Sequence, residues 1–263
     1  MNEFVLLVGR GKLVEEIDLY LNQQGVKTKT LDQVFSPNEV IAVFDLEIGL
    51  NQEKRQLLQQ VETRVTQQTP IFTSVLHRTA TEIASWLFYP ERLVGFSPLL
   101  MPTMTCVEIC FPIQSLRPNH KLLSFWKQIG KEVEIVGDQP GLVFARTLAL
   151  LVNEASFALS EGVAKATDID LAMQKGLNHP QGPLQWADQV GIHHLYAVLE
   201  GLQREYGEDR YRPAPLLRKM MYAQFIGVEA EQGFYSYGPQ EMRRDSHCFA
   251  DRPERRSKML SDA

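Results

Sequence analysis

The chain has 263 residues, a formal net charge of −5 at pH 7, 44% hydrophobic residues and 22% charged residues. This length accommodates one large or two modest globular domains, and the acidic balance gives no reason to expect a nucleic-acid partner. No apolar run is long enough to span a membrane and no charged leader precedes the first strand, so we expect a cytoplasmic protein without membrane segments.

The cysteines and histidines favour a reduced protein without a metal site. Cys106, Cys110 and Cys248 are too few for a disulfide framework and lack partners at metal-ligand spacing. We interpret Cys106 and Cys110 as small buried hydrophobic residues. The adjacent pair His193 and His194 is not a metal motif, so we predict no bound metal.

The N-terminus has the order of elements found in a dinucleotide-binding βαβ unit. A short apolar run, Phe4 to Val8, ends at Gly9, and Gly11 opens a helix. A second strand is predicted from Val26 to Leu31, with Asp32 at its end. The order strand, Gly-x-Gly, helix, strand, acid is typical of a Rossmann-type fold.

The glycine fingerprint is incomplete. Gly9 and Gly11 match the first two glycines, which allow a tight turn and close approach of a pyrophosphate, but Val14 stands where the third belongs. Asp32 lies where an acid accepts from a ribose hydroxyl, which favours NAD over NADP. The alternative is a Rossmann-shaped scaffold that no longer binds a nucleotide.

Further strands alternate with helices through the N-terminal half. We predict strands over Val40 to Leu46, Pro70 to Ser74 and Val133 to Val136, and a polar helix over Asn51 to Gln67. The alternation predicts an α/β fold with a doubly wound parallel sheet.

The C-terminal half has the periodicity of helices. The apolar residues that share one face of its first helix are Leu148, Leu151, Val152, Ala155 and Leu159. Asp168 is the predicted N-cap of the next helix, which ends near Gly176. Later helices are predicted over Leu184 to Gly191, Ile192 to Tyr206 and Ala214 to Gln224. Residues 1–138 therefore form a predicted Rossmann-like domain, residues 139–240 a helical domain, and residues 241–263 a charged tail, mobile or loosely docked.

Several short sequence motifs follow one another in a specific order in the second half of the chain. They include Pro140-Gly141-Leu142, Gly207 to Leu217 and Gly233-Phe234-Tyr235. In this the chain resembles the short-chain L-3-hydroxyacyl-CoA dehydrogenases, 3-hydroxybutyryl-CoA dehydrogenases included. The resemblance implies an all-α C-terminal dimerisation domain, a homodimer, NAD as cofactor and an acyl-CoA substrate.

The resemblance also implies site residues, and several positions depart from it. Ser97 stands where the family has the His that serves as general base, and Glu108 matches the Glu that orients it. Ser74 matches the serine before the substrate-binding turn, while His77 takes the place of the substrate-contacting serine. Ala145 replaces an Asn that helps to hold the substrate.

The CoA-binding region departs as well, because only seven residues, Gln33 to Glu39, replace a long helical excursion. Two hypotheses follow: an NAD-dependent oxidoreductase with impaired activity, acting on a 3-hydroxyacyl thioester or related hydroxy acid, or a non-catalytic dimeric scaffold or ligand-binding pseudoenzyme. Water held by Glu108 could replace the base poorly, since a lost base costs about 10²–10⁴ in rate. An altered reaction would need His77 or Asp45 as base.

Overall fold

The computed structural model describes residues 3–48, 52–115 and 120–238, and only the backbone of residues 120–123. The predicted charged tail, residues 241–263, lies outside the described residues. The chain divides into two compact units, Met1–Ala149 with Ala197–Arg212 and Leu150–Tyr196 with Pro213–Ala263.

The first unit is built on one sheet. Its strands within the described residues are β1 (Phe4–Val8), β2 (Thr28–Thr30), β3 (Val40–Asp45), β4 (Ile71–Ser74), β5 (Leu93–Phe96), β6 (Cys106–Cys110) and β7 (Glu132–Ile135). They lie in the order β2-β1-β3-β4-β5-β6-β7. The reversal of direction at β1 is the doubly wound arrangement that the sequence predicts, so the α/β class is confirmed.

Two strands depart from the all-parallel expectation. The strands from β2 to β5 pair in parallel, whereas β6 is antiparallel to β5 and β7 is parallel to β6. Residues 97–105 join β5 to β6 without a helix, and a parallel return needs a crossover of about a dozen residues or more. The short connection therefore accounts for the antiparallel pairing.

Helices cover both faces of the sheet. On one face, α1 (Lys12–Gln23) and α4 (His120–Gln128) pack against β1, β3 and β6 around the buried residues Ile17, Phe44 and Trp126. On the other face lie α2 (Glu53–Arg64) and α3 (Ala80–Ala84). The apolar spacing of α1, with Leu13, Ile17 and Leu21 buried, explains which side of this helix faces the sheet.

The remaining helices follow the sheet in the chain. They are α5 (Phe144–Ser160), α6 (Ala166–Leu177), α7 (Pro183–Val190), α8 (Ile192–Tyr206) and α9 (Pro215–Tyr222), with short 3-10 helices at Pro37–Glu39, Pro90–Arg92, Asp209–Tyr211 and Val228–Ala230. The division between the units falls within α5 and within α8. The predicted helical character of this half is confirmed.

The start of α6 was predicted wrongly. Its N-cap is Lys165, and Asp168 lies inside the first turn. An acid is favourable both at the N-cap and in the first turn, where it interacts with the helix dipole. Asp168 was therefore predicted as the N-cap although the N-cap lies three residues earlier.

Two buried carboxylates organise the second unit. Asp170 accepts hydrogen bonds from the backbone N–H groups of Leu184 and Gln185 at the start of α7. Asp188 accepts from the backbone N–H groups of Phe234 and Tyr235. The aromatic segment after α9 is therefore tied to α7, and the Phe234 side chain is fully buried.

Candidate functional site

The glycine turn lies at the carboxyl end of β1. Gly9 has a φ of +122° and Gly11, the N-cap of α1, a φ of +90°. A Cβ on Gly9 would lie 3.2 Å from the backbone nitrogen of Glu47, so both conformation and space demand glycine there. Val14, in the third glycine position, places a methyl group 3.4 Å from that Cβ position. The Val14 side chain therefore packs beside Gly9 at an ordinary van der Waals distance, and the glycine turn keeps its conformation.

A cleft of about 510 Å³ opens beside this turn. It is lined by Leu7, Val8, Gly9, Arg10, Thr30, Leu31, Asp32, Glu47, Glu53 and Leu57. The structure thus brings Gly9 and Asp32 into one cavity, with Gly11 two residues beyond Gly9 at the start of α1. The volume lies within the range of small-molecule sites.

Asp32 is an exposed hydrogen-bond acceptor in this cleft. The Thr30 hydroxyl donates to its carboxylate, and this bond, followed by one from its own backbone N–H, holds the pKa of Asp32 below its ordinary value. Asp32 is therefore ionised at neutral pH and suited to accept from a ribose hydroxyl. With the open turn at Gly9, it fits the adenosine part of a dinucleotide.

The cleft also carries charges that the glycine fingerprint does not include. Glu47 and Glu53 add negative charge, while Arg10 supplies a cation. Burial, followed by repulsion from Asp45, raises the pKa of Glu47. These residues have no place in the fingerprint, so only the fold could assign them to the cleft.

Behind the cleft lies a buried ion pair at the ends of β3 and β4. The Lys54 ammonium is 2.8 Å from the Asp45 carboxylate, and both side chains are fully buried. Asp45 also accepts from the Thr73 hydroxyl at 2.5 Å and from the Glu47 N–H at 3.1 Å. Asp45 is therefore fully engaged, and the hypothesis that it serves as a base is not supported by its geometry.

Ser74 ends β4, and Ser97 directly follows the adjacent strand β5. Both side chains are buried, and neither hydroxyl has a hydrogen-bond partner among the residues that the structure describes. The Ser74 carbonyl accepts from Lys54 at 2.9 Å, which fixes the end of β4. A buried hydroxyl without a partner has unused capacity to bond a water or a ligand.

Glu108 lies beside Ser97 across the antiparallel pair, where the Ser97 N–H donates to the Glu108 carbonyl at 3.3 Å. Its carboxylate, however, accepts from the N–H groups of Val143 and Phe144 at 3.0 Å. These groups begin α5, so Glu108 serves as a cap for that helix. The sequence offered no signal for this role because cap and helix are far apart in the chain.

His77 lies elsewhere in the first unit. It is 7% exposed, and its carbonyl accepts from the Arg204 guanidinium at 3.3 Å. A Cβ on Gly201 would lie 2.3 Å from that carbonyl oxygen, so the glycine lets α8 approach the turn after β4. His77 is not among the residues that line the cleft.

The described residues show neither a metal cluster nor a spanning segment. No group of three or more His, Cys, Asp or Glu side chains within them is arranged to hold a metal ion. In the same part of the chain, no helix combines the length and apolar character that crossing a membrane requires.

Comparison with known proteins points to one family. Residues 141–237 match the family described as 3-hydroxyacyl-CoA dehydrogenase, C-terminal domain. A probable 3-hydroxybutyryl-CoA dehydrogenase of Bacillus subtilis is 37% identical over 162 residues, which are 60% of this chain and 55% of that relative. The 3-hydroxybutyryl-CoA dehydrogenase of Bradyrhizobium diazoefficiens is 27% identical over 86% of this chain and 80% of its own. The chain thus spans only about half the length of the first of these relatives.

Solved structures agree on the fold. The (S)-3-hydroxybutyryl-CoA dehydrogenase PaaH1 of Ralstonia eutropha superimposes with a TM-score of 0.72 at 24% identity, covering 90% of this chain and 99% of that one. FadB2 of M. tuberculosis gives a TM-score of 0.76 at 20% identity with the same coverage. The fold of this chain is therefore shared with PaaH1 and with FadB2 over nearly the whole length of each.

Proposed function

The chain belongs to the 3-hydroxyacyl-CoA dehydrogenase family, and on this premise we propose that it is a divergent member that keeps a dinucleotide cleft but has lost the family's general base. The proposed reaction is NAD-dependent hydride transfer on a 3-hydroxyacyl thioester or related hydroxy acid, with impaired turnover. The observation that carries the proposal is the state of Glu108, whose carboxylate is bound by the start of α5 while Ser97 replaces the family His.

The binding part of this proposal rests on the cleft. Gly9 would let the pyrophosphate approach the backbone, and Asp32 would accept from the adenosine ribose. NAD, when bound, supplies the hydride acceptor. The acid at position 32 would repel the extra phosphate of NADP, which is why we propose NAD as the cofactor.

The chemical part rests on what this chain can do at the substrate oxygen. The buried hydroxyls of Ser74 and Ser97 have no hydrogen-bond partner among the described residues, and each can donate one hydrogen bond and accept two. A substrate oxygen that reached either hydroxyl would be held by a hydrogen bond. A serine hydroxyl does not take up a proton near neutral pH as an imidazole does. Without a placed base, proton removal slows by about 10²–10⁴.

The alternative is a non-catalytic dimeric scaffold or ligand-binding protein of the same fold. It is favoured by Ala145, which is fully buried and carries no side-chain donor or acceptor where the family has an Asn. The short connection after Asp32, with its 3-10 helix Pro37–Glu39, is a second reason, because it leaves little chain to receive a CoA tail.

A calorimetric titration with NADH, followed by acetoacetyl-CoA in the same cell, tests both readings. We expect NADH to bind at micromolar strength and acetoacetyl-CoA to be reduced about 10²–10⁴ more slowly than by a family enzyme with its His, assayed in parallel. No heat from either ligand in a folded sample would support the scaffold instead. Turnover equal to the family enzyme would contradict the proposed loss of the base.

The remaining proposals follow from the family. We propose a homodimer formed through the helical region, residues 139–240, with residues 1–138 as the dinucleotide-binding region and an acyl-CoA as the small-molecule partner. The free thiols Cys106 and Cys110 fit a reducing compartment, which supports a cytoplasmic location.

A further inference from the structure

Asp32 lies just beyond the point at which the sheet stops holding the chain. Strand β2 has only three residues at the edge of the sheet, and its last pair with β1 joins Leu7 and Thr30. The chain then runs through a turn to the 3-10 helix Pro37–Glu39. Local bonds close this turn, such as the Gln33 N–H donating to the Thr30 carbonyl at 3.2 Å. Such bonds preserve the shape of the turn but do not fix its place on the protein, so Asp32 needs support from another element.

That support comes from Arg64, the last residue of α2. One terminal nitrogen of its guanidinium donates to the Leu31 carbonyl, and the other donates to the Gln33 carbonyl at 3.0 Å. Asp32 stands between these two carbonyls in the chain. Because the planar fork of an arginine fixes its donors relative to one another, the two bonds hold the backbone on both sides of Asp32.

The ring of Phe35 completes this attachment. The guanidinium carbon of Arg64 lies 4.3 Å from the centre of this ring. The ring in turn packs edge-to-face on Phe4 of β1, with 5.5 Å between the ring centres, and Phe4 is buried in the sheet. Arg64 therefore links the turn to α2 and, through Phe35, to the core of the sheet.

Arg64 acts on the backbone of the turn and does not occupy the Asp32 carboxylate. No ion pair joins these two side chains, both of which the structure describes. Asp32 still lines the cleft, together with Glu53 and Leu57 from the first turns of α2. One helix therefore forms part of the cleft wall at its beginning and holds the Asp32 turn at its end.

We propose that Arg64 is a positioning residue for the cofactor, which holds the Asp32 turn against the adenosine ribose and thereby sets the preference for NAD over NADP. This inference rests on the proposed binding of NAD. If the turn moved outward, the ribose would lose an acceptor, and the additional phosphate of NADP would no longer face a fixed negative charge. Loss of Arg64 therefore weakens NADH binding and relaxes the discrimination against NADPH.

Titration of the full chain with NADH and, separately, with NADPH tests this role. Arg64→Met keeps an unbranched side chain and removes the guanidinium. We expect the dissociation constant for NADH to rise about threefold to tenfold, and the ratio of the NADPH constant to the NADH constant to fall by a similar factor. Arg64→Lys keeps the charge without the planar fork and should lie between Arg64→Met and the wild type.

A double-mutant cycle shows whether Arg64 acts through Asp32. In the Asp32→Ala background the acceptor is already gone, so adding Arg64→Met should change the NADH constant less than about twofold.

Arg55→Met is the matched control, because it removes the same charge from an exposed residue of the same helix. It should leave both dissociation constants unchanged. Without nucleotide, amide hydrogen exchange in residues 31–36 should be faster in Arg64→Met than in Arg55→Met, since only the first variant releases the turn.

The outcomes separate this inference from the proposed function. A wild type that binds neither nucleotide would reject the dinucleotide cleft and with it the role of Arg64. If the wild type binds NADH and Arg64→Met keeps both its affinity and its preference, cofactor binding stands and the role of Arg64 is overturned. A parallel loss of affinity for NADH and NADPH, or an equal loss in the Asp32→Ala background, would also overturn it, because Arg64 would then be a structural residue only.

Discussion

Ser97 and Glu108 face each other across the antiparallel pair of β5 and β6, yet their side chains do different things. The Ser97 hydroxyl is buried without a partner among the described residues, while the Glu108 carboxylate is bound at the start of α5. In the family that the chain resembles, the position of Ser97 holds a general base and that of Glu108 holds the acid that orients this base. In this chain the acid has a structural task that does not depend on a base at position 97.

Adding the missing imidazole should therefore not be enough. We expect Ser97→His to raise the rate of acetoacetyl-CoA reduction less than about tenfold, because Ala145 and the short connection after Asp32 still leave the substrate poorly held. The measurement is NADH oxidation at saturating substrate, with Ser97→Ala as the control for loss of the serine hydroxyl. Robust turnover by Ser97→His would show that only the base is missing.

Asp32 is the residue through which cofactor binding can be tested directly. Asp32→Ala removes an ionised acceptor from the cleft, and we expect NADH affinity to fall about tenfold or more. Asp32→Asn keeps one acceptor oxygen and should lose less. Fluorescence titration with NADH gives both constants, and equal affinity in all three proteins would place the ribose elsewhere.

At the scale of elements, the ion pair of Asp45 and Lys54 joins α2 to the ends of β3 and β4. Lys54 also donates to the Ser74 carbonyl, so one ammonium group fixes two neighbouring strands. Its value lies less in the net energy of the pair than in the cost of leaving either charge buried alone.

Removal of one partner should expose that cost. We expect Lys54→Met to lower the free energy of unfolding by about 3–5 kcal/mol, since a buried carboxylate is left uncompensated. The double variant Asp45→Asn with Lys54→Met should be less destabilised than the single variant, because the buried charge is gone. Urea denaturation measures both, and an additive loss in the double variant would contradict this explanation.

Local patterns in the sequence were enough to predict most elements and the cleft around Gly9 and Asp32. A short apolar run, two glycines and an acid are contiguous signals, and the structure places Gly9 and Asp32 together. The direction of β6 was not predictable in the same way, because hydrophobic alternation does not specify which way a strand runs. The cap formed by Glu108 on α5 was missed because it joins residues 35 and 36 positions apart.

At the scale of the whole molecule, stability should depend on pH through Asp188. This side chain is 1% exposed, and burial raises its pKa from 3.8 to about 6. Between these two values the folded protein keeps a proton that the unfolded chain releases. Stability therefore falls as pH rises through this window, by about 3 kcal/mol for this group alone.

The variant Asp188→Asn tests that dependence. We expect it to be less stable than the wild type at low pH, because an amide presents only one acceptor oxygen to the Phe234 and Tyr235 N–H groups. Its stability should nevertheless lack the decline between about pH 4 and pH 6. Urea midpoints across this range decide the matter, and parallel curves for the two proteins would exclude Asp188 as the source.

Carboxylates that are remote in sequence recur at the beginnings of helices. Glu108 binds the first N–H groups of α5, and Asp138 binds those of Ala80 and Thr81 at the start of α3. Asp170 does the same for α7. A helix whose first turn is completed by a distant side chain gains that stabilisation only after the distant segment has arrived. We therefore expect α5 to form late in folding, after β6 has joined the sheet. A fragment that begins at residue 139 lacks Glu108, so the first turn of its α5 should fray.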